Sequence, residues 1–547
     1  MLGLMQDQPL MISNLIEFAA RHHHDAQIVS RRVEGDIHRT NYREVTARVR
    51  QVANALDRLD LAFSDRVATL AWNGYRHLEL YFAISGSGRV VHTLNPRLAP
   101  EQVVWIANHA EDQVLCFDMT FLPLVKAIWR QCTTVKHWIA LCEADVLPAD
   151  SGIEGLQSYE AWIGAESSSY AWPSFDERSA ATLCYTSGTT GNPKGVLFSH
   201  RSTVLHAWAV ALPDALSLSA RDSILPVVPM FHVNAWGLPY AAAMTGAKLV
   251  FPGPALDGKS VYELLESEQV TMAAGVPTVW LMLLNHVREQ GLKFTHMRRT
   301  VIGGSACPPA MIKSFRDDYD VTVLHAWGMT EMSPVGTVCN LKRAQRALSP
   351  EAQMAILVKQ GRAVYGVEMR IVDAQGQELP WDGQASGDVQ VKGPWIASGY
   401  FRGEGGDPLV YSQGQGWFPT GDVATIDADG FLQITDRSKD VIKSGGEWIS
   451  SIDIENVAVA HPAVAMAACI ALPHPKWDER PLLVVVKKVG ATVTRDELLA
   501  FYDGKVAKWQ VPDDVAFVEA IPLGATGKMQ KNKLREQFKG HKLPGVM

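Results

Sequence analysis

Arg66-Val-Ala-Thr-Leu-Ala-Trp72 is a short apolar run, followed by the helical pattern His77-Leu-Glu-Leu-Tyr-Phe-Ala83 and a second apolar run, Val90-Val-His-Thr-Leu94. A helix is expected from Pro100 to about His109, and Val114-Leu-Cys-Phe117 reads as a third buried strand. Strand, helix, strand, helix, strand is the order of a largely parallel sheet covered by helices on both faces. The same alternation returns around Lys248-Leu-Val-Phe251, Met272-Ala-Ala274, Thr300-Val-Ile302 and Val321-Thr-Val-Leu324. From about Val364 the texture changes. Glu368-Met-Arg-Ile-Val372, Gly387-Asp-Val-Gln-Val391 and Phe431-Leu-Gln-Ile-Thr435 are short strands between Gly, Asp and Pro turns, the pattern of an antiparallel β subdomain. The charged segment Asp436-Arg-Ser-Lys-Asp440 precedes a further α/β pattern and marks a domain boundary.

At 547 residues the chain is too long for one core, and roughly two to four domains are expected. Its net charge of −7 gives no reason to expect a nucleic-acid partner. The first residues carry no Lys or Arg ahead of their apolar positions, and Ala235 to Phe251 is too broken to span a bilayer. The seven cysteines are scattered and never form a CxxC pair. They read as small buried hydrophobes of a reducing compartment, and a cytoplasmic location is expected.

The strongest chemical signal is Tyr185-Thr-Ser-Gly-Thr-Thr-Gly-Asn-Pro-Lys-Gly195. Thr186, Ser187, Gly188, Thr189 and Thr190 cannot build core. Their hydroxyls and exposed N–H groups suit phosphate oxygens, with Lys194 as counter-charge. Pro193 breaks Walker A spacing, so this is a different phosphate loop. Further along stand Gly303-Gly-Ser-Ala-Cys-Pro308, His325-Ala-Trp-Gly-Met-Thr-Glu331, Thr420-Gly-Asp422, Asp436-Arg-Ser-Lys439, Lys443-Ser-Gly-Gly-Glu-Trp448 and Ala525-Thr-Gly-Lys-Met529.

In that order these motifs resemble the adenylate-forming superfamily of acyl-CoA synthetases, luciferases and peptide-synthetase adenylation domains. Within it, Asp440 to Ile449 and Pro229-Met-Phe-His-Val-Asn-Ala-Trp-Gly237 are most similar to bacterial medium-chain acyl-CoA ligases and methylmercaptopropionate-CoA ligases. The resemblance implies an α/β fold: a large N-terminal domain of parallel α/β sheets plus a β subdomain over 1–435, a hinge at 436–439, and a small mobile α+β C-terminal domain over 440–547. It also implies ATP, Mg²⁺ and coenzyme A as reactants and cofactor. The acid is activated as its AMP ester and then passed to CoA.

The site roles follow from the same resemblance. Gly303, Gly304 and Ser305, with His325, Ala326, Trp327, Gly328 and Met329, would form the adenine pocket. Trp327 stands where relatives usually carry Tyr, which keeps a flat ring to stack on the base. Thr330 would contact the α-phosphate, and Thr186 and Glu331 would hold Mg²⁺. Asp422 and Arg437 would meet the ribose. Lys439 is the pivot of the small domain, and the loop Lys443, Gly445, Gly446, Glu447, Trp448 would accompany thioester formation. Lys528 is the mobile cation of adenylation.

His232, Val233, Trp236 and Gly304 are expected around the acyl pocket. His232 lies near the carboxylate or is a core histidine; Trp236 shortens the pocket or belongs to the core. No Asp stands near here to bind an amine, which argues against an amino-acid substrate. A cinnamate-type aryl ligase, an enzyme loading a separate carrier protein, a luciferase-type oxygenase and a nucleotide sensor stay open beside the short- or medium-chain ligase. A homodimer is expected by the same likeness.

Overall fold

The computed structural model describes residues 1, 3–186, 193–444, 447–524 and 529–544, with the side chains of Glu447 and Trp448 left out of the description. Each expected apolar run of the first half is a strand. Arg66–Leu70, Val90–Thr93 and Asp112–Phe117 pair in parallel, and the helices Tyr75–Gly86 and Pro100–Ala110 connect them. They sit in a seven-stranded sheet that ends with Ala180–Tyr185 and its antiparallel partner Gly195–Ser199. Helix Tyr75–Gly86 is buried along its whole length, and its charged Arg76 and Glu79 are ion-paired with Glu160 and Arg48.

A second sheet of nine strands holds Ser223–Pro226, Met272–Gly275, Arg299–Ile302 and Thr322–Gly328 as adjacent parallel strands. Their helices cover the faces, and the runs are apolar because both faces are buried. The segments 227–237, 303–308 and 329–332 therefore leave the same carboxyl edge. Crevices at such an edge are where open α/β sheets bind ligands.

The β subdomain is an antiparallel sheet. Glu368–Val372, Ser386–Lys392 and Gln415–Ile426 pair in succession, and Leu432–Arg437 pairs with the other edge of the long strand. The next sheet begins with Ile442–Ser444 and continues through Glu447–Ile449, Val464–His474, Asp478–Lys487 and Asp514–Phe517. Helix Ser451–Val459 packs on it, so this last part is α+β. All seven cysteines are buried and unbridged. Among the described residues no helix is long and apolar enough to cross a membrane.

Four buried histidines tie this framework together, and burial pulls their imidazoles down: His77, His200 and His325 to about 4, His206 to about 3. His206 Nε2 accepts the Val335 N–H at 3.1 Å. In an unfolded chain each ring titrates near 6.5. Above that pH both states are neutral. Below it the unfolded chain takes up protons that the folded chain refuses, so stability falls as pH falls from about 6.5 toward 4. Thermal unfolding should show a melting temperature level from pH 8 to 7 and dropping progressively to pH 5. His206→Gln, which keeps an acceptor, should flatten that slope by up to about 1.4 kcal/mol per pH unit. An unchanged slope would contradict the role assigned to this ring.

Candidate active site

The strands that flank the expected phosphate loop pair in antiparallel. Tyr185 pairs with Gly195, the Thr186 N–H donates to the Lys194 carbonyl at 2.9 Å, and the Lys194 N–H donates to Thr186 Oγ1 at 3.3 Å. Ser187, Gly188, Thr189 and Thr190 lie outside the described residues. Thr186 and Lys194 thus stand on either side of the loop's neck. Thr186 and His232 line one cleft, together with Asn95, Tyr185 and Phe231. The expected phosphate loop and the expected acyl segment are brought together here.

Lys194 Nζ lies 4.7 Å from the centre of the Tyr400 ring, a cation–π distance. The Tyr400 hydroxyl in turn donates to Glu331 Oε1 at 2.8 Å. Burial, with the Glu331 charge beside it, pushes the Tyr400 phenol up, so it stays a donor at neutral pH. Glu331 itself is only 7% exposed, unlike the solvated carboxylate that an isolated Glu usually is. Among the described residues no cation pairs with it, and Oε2 receives no hydrogen bond. A buried carboxylate without a counter-charge is costly. That donor fits Mg²⁺, a hard ion usually held by one or two carboxylates plus phosphate oxygens and water. Among the described residues no group of three or more His, Cys, Asp or Glu could hold a metal ion.

His325, buried on strand Thr322–Gly328, accepts the Cys307 N–H at 3.3 Å through Nε2, with Nδ1 3.0 Å from the Val358 carbonyl. It thereby fastens the 303–308 loop to the neighbouring strand. Gly303 lies so close that a Cβ would stand 2.9 Å from the Ala326 carbonyl oxygen and 3.3 Å from the Trp236 indole. Gly304 has φ +81° and also faces Trp236. The structure therefore puts Trp236 beside both glycines while leaving it 9% exposed within the main core. Trp236 is thus a core residue that also lies against the glycines of the 303–308 loop.

Val233, Asn234, Ala235 and Trp236 all have positive φ, from 41° to 57°, and Gly237 follows at 77°. A left-handed turn of non-glycine residues costs about 1–2 kcal/mol per residue. Surrounding contacts must hold it: Val233 and Asn234 are buried, and Cys184 Sγ lies 3.4 Å from Asn234 Oδ1. In the run Val-Asn-Ala-Trp only Asn234 is of a type that favours this conformation. His232, which leads into the turn, is partly buried.

Asp422, on strand Gln415–Ile426, pairs in register with Arg437. Arg437 Nε lies 2.9 Å from Asp422 Oδ1, and the Trp327 indole N–H donates to Asp422 Oδ2 at 2.9 Å. Three expected nucleotide residues thus meet at one carboxylate. The expected hinge segment follows immediately. Asp436 accepts the Ser451 N–H at 2.6 Å, Ser450 Oγ donates to the Thr435 carbonyl, and Lys531 joins Glu455 at 2.6 Å. Arg535 donates to the Lys439 carbonyl at 3.3 Å and to Asp440 at 2.5 Å, and burial pulls the Lys439 ammonium down. Lys443 is exposed, its N–H donating to Glu479 at 2.8 Å. Gly445, Gly446 and Lys528 lie outside the described residues, as do the side chains of Glu447 and Trp448. Sequence reading did not single out Tyr400, His206 or Lys531. Tyr400 sits in an unremarked Ser-Gly-Tyr turn, and only its contact with Glu331 gives it meaning.

Residues 16–401 match the model of the AMP-binding enzyme family, and 453–528 match the AMP-binding enzyme C-terminal domain. The chain is 55% identical to a 3-methylmercaptopropionyl-CoA ligase of Ruegeria pomeroyi over 98% of its own length and 99% of that protein's. It is 51% identical to a medium-chain-fatty-acid–CoA ligase of Ectopseudomonas oleovorans over 98% of each. Among solved structures, an anthranilate CoA ligase in complex with anthranoyl-AMP superposes with a TM-score of 0.85 at 25% identity, covering 98% of this chain and 99% of that one.

Proposed function

The chain belongs to the AMP-binding enzyme family, and from that premise we propose an acid–CoA ligase acting on 3-methylmercaptopropionate or a medium-chain fatty acid. It is an AMP-forming ligase that uses ATP, Mg²⁺ and coenzyme A. The substrate carboxylate attacks the α-phosphorus, the bond to the β,γ-pyrophosphate breaks, and acyl-AMP forms. The CoA thiol then attacks the acyl carbon, loses its proton, and releases AMP. No protein nucleophile is required, because the acid itself attacks. The observation that carries the reading is Glu331, a buried carboxylate without a cation partner among the described residues, beside the neck of the phosphate loop through Tyr400 and Lys194.

Within this reading, Thr186 and Glu331 hold Mg²⁺, which supplies charge neutralisation to the phosphates. Lys194 and the loop from Thr186 to Thr190 wrap those phosphates, and Thr330 meets the α-phosphate. His325 holds the loop of Gly303, Gly304 and Ser305 against adenine. Asp422 and Arg437 take the ribose, and His232, Val233, Trp236 and Gly304 border the acyl group. The N-terminal domain spans 1–435 and the mobile domain 440–547, with Lys439 as pivot in the hinge 436–439. Rotation there presents Lys528 for adenylation and then Lys443, Gly445, Gly446, Glu447 and Trp448 for thioester formation. A homodimer and a cytoplasmic location complete the proposal.

Trp236 sets the depth of the acyl pocket, because its indole lies against Gly303 and Gly304. Trp236→Ala should move the preferred acid to a longer chain. Each added methylene that finds a place is worth about 0.8 kcal/mol, roughly fourfold in kcat/KM. The check is kcat/KM for 3-methylmercaptopropionate and straight-chain acids of increasing length, in both proteins. An unshifted optimum in the variant would remove Trp236 from the pocket wall.

A further inference from the structure

Asp422 is the meeting point of two donors that come from opposite sides. Arg437 approaches Oδ1 from the neighbouring strand and is 40% exposed on its side chain. Trp327 approaches Oδ2 from the nine-stranded sheet and is buried. The indole N–H is a donor only, so it cannot compete for the hydrogens that a carboxylate accepts. A carboxylate offers about four acceptor positions. With one taken on each oxygen, one remains on each, a pair matched to two adjacent hydroxyls.

The indole is also held in place. A Cβ at Gly336 would stand 3.1 Å from its six-membered ring, so the absence of a side chain there makes the seat for Trp327. Ala326 and Val335 pack in the same core. Asp422 is fixed from its backbone too: its N–H donates to Thr420 Oγ1 at 3.2 Å, and Thr420 Oγ1 donates to the Val389 carbonyl at 3.0 Å. A flat ring at position 327 suits stacking on adenine. The hydrogen bond adds a second task, which a phenyl ring could not perform.

We infer that Trp327 is a positioning residue for the ribose: its indole N–H sets the Asp422 carboxylate so that the remaining lone pairs meet the 2′- and 3′-hydroxyls of the nucleotide. This rests on the ATP-dependent ligase reading, and the contribution appears only when the nucleotide carries those hydroxyls.

The test compares ATP with 2′,3′-dideoxy-ATP in wild type, W327F and W327M. Both substitutions remove the N–H; W327F keeps a flat ring for adenine, and for W327M, which does not, the readout is the ratio between the two nucleotides. Acid-dependent pyrophosphate release gives kcat and KM, and equilibrium binding of each nucleotide gives Kd. The expected result is a rise of about tenfold in KM and Kd for ATP, the size of a hydrogen bond to a charged group, with kcat changed far less and dideoxy-ATP affected much less than ATP. Wild-type preference for ATP over the dideoxy analogue should collapse in the variants. Equal losses on both nucleotides would reduce Trp327 to a stacking or packing residue, and unchanged values would remove it from the site; either overturns the inference. A wild-type protein that neither binds nor consumes ATP would instead overturn the ligase reading itself.

Discussion

Lys528→Ala should abolish acyl-AMP formation, by on the order of 10²–10³-fold or more, while leaving thioester formation from preformed acyl-AMP near the wild-type rate. Negative charge in the first half-reaction is spread over the attacking carboxylate, the α-phosphate and the departing pyrophosphate, and a lysine ammonium there acts on all three. In the second half-reaction the pyrophosphate is gone, and the proposed rotation has withdrawn the lysine. Lys528 sits in Ala525-Thr-Gly-Lys-Met529, close to the end of the family match at 453–528. Single-turnover assays of the two half-reactions decide the matter. Equal loss in both would show that Lys528 acts on something common to them, such as domain placement, and the division of labour would fail.

Glu331→Gln should slow adenylation by roughly 10²–10³-fold, about 3–4 kcal/mol, and displace its Mg²⁺ dependence to higher concentration. Glutamine keeps the size of the side chain and an oxygen for the Tyr400 hydroxyl, so the 2.8 Å bond seen here can persist. What is lost is the charge. In a site where the carboxylate is 7% exposed, that charge is felt more strongly than it would be in water. A Mg²⁺ titration of pyrophosphate release in wild type and E331Q makes the comparison. A variant with the wild-type Mg²⁺ midpoint would show that Glu331 is a structural partner of Tyr400 rather than a ligand.

The strands of the first half were legible because both faces of a parallel sheet are buried. Val90–Thr93 and Asp112–Phe117 contain short apolar runs in the sequence and pair as expected. The β subdomain was legible through its turns, since Glu368–Val372 and Ser386–Lys392 are separated by Gly, Asp and Pro. The site motifs could be read as strings, but their mutual geometry could not. Trp327 and Asp422 are 95 residues apart, and Tyr400 and Glu331 are 69 apart. Such contacts depend on how two sheets meet, which local periodicity does not encode. The left-handed turn from Val233 to Gly237 is the sharpest case, because Val233, Ala235 and Trp236 carry no signal for positive φ and only Asn234 and Gly237 do. Lys531 gives a similar lesson. A lysine in this position reads as a solvated charge, yet it is buried between Glu455 and Ser451.

The central claim is that carboxylate activation by ATP is coupled to thioester formation. It is tested most directly by incubating the pure protein with ATP, Mg²⁺ and 3-methylmercaptopropionate or a medium-chain acid, with and without CoA, and quantifying pyrophosphate, AMP and acyl-CoA. The account predicts acyl-CoA and AMP in equal amounts when CoA is present. Acid-dependent pyrophosphate release with no thioester, even with CoA in excess, would contradict it and point to a carrier protein as the acceptor.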